Sequence, residues 1–105
     1  MLPPSIEKLL PTVKDSDIVI TSLNRYERKK DIPLALKACS LVKAGPVVLV
    51  VAGGYDERVI ENVEHHLELV ALSQKLNLKV IFLRSISNEE RISLLKRTDI
   101  MLYTP

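Results

Sequence analysis

Ile18-Val19-Ile20-Thr21-Ser22-Leu23-Asn24-Arg25-Tyr26-Glu27-Arg28-Lys29-Lys30-Asp31 passes from an apolar, β-branched run into a cluster of cations. An amphipathic run from Leu34 to Ala44 follows it. Asp17 to Leu23 shows almost no polar–apolar alternation, which predicts a strand covered on both faces. The stretch therefore reads as strand, basic loop, helix start. Arg25, Arg28, Lys29 and Lys30 lie within six residues. A helix start has free backbone N–H groups and a partial positive charge, and basic side chains beside it suit a phosphate or diphosphate. The plain alternative is a solvated charged loop. The place of the cluster, at the carboxyl end of a strand, favours a ligand, because open α/β sheets bind ligands there.

Outward from this stretch the same grammar repeats. Asp31 is a candidate N-cap and Pro33 suits a first helical turn. Leu34, Ala38, Leu41 and Val42 recur at helical spacing until Gly45-Pro46. Val47-Val48-Leu49-Val50-Val51-Ala52 carries no charge and reads as a central strand that Gly53-Gly54 breaks. A helix from about residue 58 to residue 75 has Val59, Val63, Leu67 and Val70 on one face, with Asn77 as its terminator. Lys79 to Leu83 is a third strand and Arg84-Ser85-Ile86 its loop. Ser87-Asn88-Glu89-Glu90 fits a capping box, opening a helix to about residue 97 with Ile92 and Leu95 inward. Ile100 to Tyr103 is a fourth strand. Residues 1–16 are Pro-bounded and read as a linker or lead-in, with Ile6, Leu9 and Leu10 able to share one side of a short helix.

This β-α-β-α-β-α-β order, in units of about 30 residues, predicts right-handed crossovers and a doubly wound parallel sheet in the order 3-2-1-4. A fourth strand at the edge would be apolar and uncovered. The expectation is that residues 17–105 form a partial Rossmann-like domain, incomplete at its C-terminal end.

Composition narrows the function. The chain has 105 residues, 47% hydrophobic and 27% charged, which fits a globular domain. A net charge of +2, with cations outside the loop spread along the chain, argues against a nucleic-acid binder. Cys39 is the one cysteine and falls on an apolar helix face, so it reads as a buried thiol. No apolar run reaches the ~18 residues of a membrane span, and no signal peptide is visible.

Few residues invite catalysis. Gly53-Gly54-Tyr55-Asp56-Glu57 follows a strand and opens a helix, but neither G-x-G-x-x-G nor a P-loop occurs. It reads as a tight turn needing Gly, or else as a close backbone approach to a ligand. His65 and His66 point about 100° apart on a helix, ligate one metal poorly, and read as a solvated face with Glu61, Glu64 and Glu68. Glu89 and Glu90 are explained by capping. What remains is a set of strand-end loops, 24–30, 53–57 and 84–87, that suits a phosphorylated nucleoside.

Asn24-Arg25-Tyr26-Glu27-Arg28-Lys29-Lys30, Val51-Ala52-Gly53-Gly54-Tyr55-Asp56-Glu57-Arg58 and Phe82-Leu83-Arg84-Ser85 closely resemble the GT-B glycosyltransferases of family 4. Glu61-Asn62-Val63-Glu64-His65 and Leu102-Tyr103-Thr104-Pro105 extend the likeness, which covers about residues 17–105 and points to the mannosyltransferases of the dolichol pathway. The resemblance implies half of a GT-B fold, the carboxyl-terminal sugar-nucleotide domain. By that likeness Arg25 and Lys30 match the pair that clamps the donor diphosphate, with Lys29 a competitor for the Lys role. The family usually has Gly after that Lys, where this chain has Asp31. Arg84, Ser85 and Ile86 match the loop that holds the base, and Gly53 and Gly54 border it.

The donor so implied is GDP-mannose, with no metal required. The acceptor is a lipid-linked oligosaccharide, a mannosylated chitobiosyl-diphosphodolichol at the cytosolic face of the endoplasmic reticulum membrane. The family's Glu-x7-Glu motif is expected just past Thr104-Pro105, and the acceptor domain lies outside this chain, so the chain alone is expected to be inactive. Two other readings stand beside this one: a family 4 transferase using a UDP-sugar, and a non-catalytic doubly wound interaction module docking an acidic partner through residues 25–30.

Overall fold

A computed structural model describes residues 10–42 and 45–104. Four strands, β1 (Ile18–Leu23), β2 (Val47–Gly53), β3 (Val80–Arg84) and β4 (Ile100–Met101), form one sheet in the order β3-β2-β1-β4. All three pairings are parallel. Three helices join them: α1 (Ile32–Ser40), α2 (Ile60–Lys75) and α3 (Asn88–Arg97). This is the doubly wound sheet expected from the alternation of runs.

The absence of alternation in β1 and β2 has the expected cause. Ile20, Leu49 and Val51 pack with Ile32, Leu36 and Leu69, from α1 and α2. Val19, Val48, Val50 and Ala52 pack with Leu94 of α3 and with Leu10. Both faces of β1 and β2 are therefore covered, and each buried Val or Leu contributes about 1.5–3 kcal/mol. Within the lead-in, residues 10–16 lie against the fold: Arg97 donates to the Lys14 and Asp17 carbonyls, each at 2.9 Å, and Lys79 to the Thr12 carbonyl. Ile6 and Leu9 lie outside the described residues.

Each helix falls within its expected run, but the inward faces differ from those expected. In α1 the buried stripe is Ile32, Ala35, Leu36 and Cys39, while Leu34 and Leu41 are exposed. Both stripes have helical spacing and both are apolar, so periodicity alone cannot choose between them. The choice is made by the turn before the helix. Arg28–Lys30 is a 3-10 turn, and Asp31 stands at φ 51, the left-handed region, with no side-chain capping bond. Asp31 thus occupies the cap position without capping. It takes the backbone conformation for which Gly is the usual residue. Helix α1 also ends at Ser40, short of Gly45-Pro46, because Leu41 finds no core to bury against.

In α2 the inward residues are Asn62, His65, Leu69 and Ser73, while Val59 and Leu67 are exposed. The reading of His65 and His66 as a solvated face is overturned. His65 is 3% exposed, with Nδ1 2.9 Å from a Glu68 carboxylate oxygen. His66 is half-buried, edge-on to the rings of Tyr26, Tyr55 and Phe82. Polar residues can face inward here because each has a partner: Asn62 in the loops above, His65 in Glu68 and Ser73 in the Val70 carbonyl, both of α2 itself. Asn77 ends α2 in the left-handed region, as expected. The Ser87/Glu90 capping box of α3 is fully formed. The buried residues of α3 are Ser93 and Leu94, not Ile92 and Leu95. Strand β4 pairs with β1 at Ile100 and Met101 alone, shorter than the run to Tyr103, and both residues are half exposed.

Burial of His66, and secondarily the Arg84 guanidinium, hold its imidazole below the ordinary value near 6.5. The folded ring stays neutral while the unfolded ring takes a proton. The stability it contributes is whole above about pH 6.5 and is lost as pH falls through the lowered folded value. Asp99, held down chiefly by the Val19 N–H, and Glu68, held down chiefly by Arg28, act only in the lower carboxylate range. The melting temperature should therefore fall between about pH 7.5 and 5.5, and His66→Phe should flatten that slope. An unchanged slope in His66→Phe would contradict this account.

Candidate functional site

Three strand ends meet above the middle of the sheet. Asn24 N–H donates to the Ala52 carbonyl (3.0 Å), Tyr26 N–H to the Gly54 carbonyl (3.3 Å) and Ser85 N–H to the Gly53 carbonyl (2.9 Å). The loops after β1, β2 and β3 are thus laced together by backbone bonds. Gly53 is required by this lacing: a Cβ there would lie 1.8 Å from the Asn24 carbonyl oxygen. Neither glycine has a positive φ, so the need is close approach and not turn geometry. The backbone approaching Gly53 is the chain's own loop.

Tyr26 locks the loop from beneath. It is fully buried, and its hydroxyl lies 3.1 Å from the Val51 carbonyl and 3.0 Å from the Leu83 carbonyl. The Asn62 amide donates to the Tyr26 carbonyl at 3.2 Å, and its oxygen accepts from Asp56 N–H at 2.9 Å. Burial pushes the Tyr26 phenol far above its ordinary range, so it remains a donor. Arg25, the residue before it, is exposed on a backbone fixed by β2, β3 and α2 together.

Arg25 opens onto a cleft of about 450 Å³ that Gly53, Gly54, Ser85 and Ile86 also line. The other expected residues lie apart from it. Arg84 stacks over the Tyr55 ring at 4.9 Å and lines a neighbouring groove with residues 55–58. Lys29 and Lys30 do not line the cleft. Ser85 stands at φ 54 and spends its hydroxyl on the Tyr55 backbone, donating to the carbonyl at 2.8 Å and accepting from the N–H at 3.0 Å.

The four loop cations are not equivalent. Arg28 pairs with Glu64 at 3.2 Å and Glu68 at 3.1 Å across α2, and its guanidinium is raised chiefly by the Glu68 hydrogen bond. Lys29 pairs with Glu27 at 3.4 Å. Among the described residues, Arg25 and Lys30 make no ion pair. Asn88 and Arg91 of α3 also line the cleft and were not singled out from the sequence. The capping box was the available signal, since it fixes Asn88 and Arg91 in the first turns after the third loop. Among the described residues no group of three or more His, Cys, Asp or Glu could hold a metal ion, and no helix is long and apolar enough to cross a membrane.

A parallel sheet ordered β3-β2-β1-β4, with a cation-bearing cleft at its strand ends, is a doubly wound α/β domain with its ligand cleft where such sheets place it. The chain belongs to the family of glycosyl transferases group 1, which it matches over residues 9–105. It is 44% identical to the alpha-1,3/1,6-mannosyltransferase ALG2 of Homo sapiens, over 100% of this chain and 27% of that protein. The Saccharomyces cerevisiae protein of the same name is 39% identical over 94% of the chain and 25% of its own length. The chain thus spans about a quarter of these relatives. Among solved structures, apo OtsA superposes with a TM-score of 0.74 at 18% identity, over 99% of this chain and 26% of that one. Sucrose-phosphate synthase from Thermosynechococcus elongatus gives 0.71 at 18%, over 95% and 25%. These likenesses show the fold, part of a GT-B architecture.

Proposed function

We propose that the chain is the donor-binding part of a retaining mannosyltransferase that moves mannose from GDP-mannose to a dolichol-diphosphate-linked oligosaccharide. The reaction belongs to N-glycan precursor synthesis at the cytosolic face of the endoplasmic reticulum. The relatives' names support the sugar transferred. The observation that carries the site is the division of the loop cations: among the described residues Arg28 and Lys29 make ion pairs, and Arg25 and Lys30 do not.

In this reading Arg25 binds the donor diphosphate from the cleft and Lys30, which does not itself line the cleft, swings its side chain in to complete the clamp, while Ile86 and the backbone about Ser85 frame the base beside Gly53 and Gly54. The leaving group is a nucleoside diphosphate, whose negative charge grows as the glycosidic bond breaks. Fixed cations stabilise that charge more in the transition state than in the ground state, and no metal is needed for it.

Titration calorimetry with GDP tests the clamp. Arg25→Ala and Lys30→Ala should each weaken binding about tenfold, the scale of a lost charge-assisted contact, and Lys29→Ala should change it little. Identical heats for the unmodified chain, Arg25→Ala and Lys30→Ala would sink the clamp. Tighter binding of UDP than of GDP would point to a transferase using a UDP-sugar.

A further inference from the structure

Thr104 follows β4 and is 3% exposed. Its hydroxyl donates to the Lys30 carbonyl at 2.6 Å and lies 3.5 Å from Asn24 Nδ2. Asn24 Nδ2 also lies 3.4 Å from the Ser22 hydroxyl. One buried hydroxyl thus touches the loop at both ends, beside Arg25 and at Lys30. The rest of this segment is tied to β1 and not to the loop: β4 pairs with β1 at two positions, and the Asp99 N–H bond to the Val19 carbonyl and the Leu102 N–H bond to the Thr21 carbonyl extend the ladder at its two ends. The peptide that Thr104 grips leads directly into Asp31 at φ 51. A non-glycine residue keeps that conformation only where its surroundings hold it there.

We infer that Thr104 is a positioning residue: its hydroxyl fixes the Lys30 backbone, so that only the Lys30 side chain has to move to reach the donor diphosphate and the loop needs no further ordering. This rests on the donor reading above. A Lys on a loose loop must lose backbone freedom on binding, which subtracts from affinity, whereas a pinned one does not.

The test is a GDP titration followed by NMR shifts of the 105-residue chain and its variants, with circular dichroism to show that each is folded. Thr104→Val removes the hydroxyl at nearly constant shape and should weaken GDP binding about fivefold. Thr104→Ser keeps the hydroxyl and should stay within about twofold. In a Lys30→Ala background Thr104→Val should add nothing, because its effect passes through Lys30. A merely structural role would weaken binding equally in both backgrounds, and that result overturns the inference, as does unchanged affinity in Thr104→Val. If Lys30→Ala itself binds as the unmodified chain does, or the folded chain shows no shifts at millimolar GDP, the donor reading fails instead.

Discussion

Gly53→Ala is expected to destabilise the protein by at least ~3 kcal/mol, and to do so through one contact. The added Cβ would lie 1.8 Å from the Asn24 carbonyl oxygen and 2.4 Å from its carbon. Both are backbone atoms, and no rotamer change can relieve the clash. The loop after β1 would have to lift off β2, breaking the Asn24 N–H bond to the Ala52 carbonyl and the Tyr26 N–H bond to the Gly54 carbonyl. Gly54 is the control. A Cβ there would meet Arg25 Cγ at 3.4 Å, ordinary contact, so Gly54→Ala should cost less than about 1 kcal/mol. Denaturant melts of the two variants check this, and equal costs would contradict the close approach.

Tyr26→Ala should cost ~3–5 kcal/mol, the range for deleting a buried aromatic ring. The ring is fully buried and packs edge-on to Tyr55 and His66 at 5.5 and 5.6 Å. Tyr26→Phe isolates the hydroxyl. It leaves the Val51 and Leu83 carbonyls without the phenol donor and should cost ~1–2 kcal/mol. Because those carbonyls sit on β2 and β3, the loss loosens the support beneath Arg25. Tyr26→Phe should therefore also weaken GDP binding while the strands stay intact. A Tyr26→Phe variant with unaltered stability would show that the hydroxyl bonds carry no net weight.

The strands and their order were readable because uncharged β-branched runs have one use in a chain of this length, as core strands between helices. The end of α2 was readable from Asn77 and the start of α3 from the Ser87 capping box, whereas α1 stops at Ser40, short of Gly45. Helix faces were not. In α1 two apolar stripes compete and the Arg28–Asp31 turn selects one. In α2 the selected stripe carries Asn62 and His65, which a hydropathy argument sends outward. Asn62 faces inward because the Tyr26 carbonyl and the Asp56 N–H await it there, and neither partner is visible in sequence.

The candidate site divides in the same way. The cation cluster stood out by charge density and by place. Its division did not, since Arg28 is taken up by Glu64 and Glu68, which lie 36 and 40 residues further along. Tyr26 looked like an ordinary residue of a basic loop and is instead the buried post on which that loop stands.

The most direct test of the account is to map which backbone amides of the chain shift when GDP is added, by residue-resolved NMR. Shifts are expected only in the strand-end loops, Arg25 to Lys30, Gly53-Gly54 and Ser85-Ile86, and in the first turn of α3 at Asn88 and Arg91. Shifts centred elsewhere, or identical maps for the unmodified chain and Arg25→Ala, would contradict it.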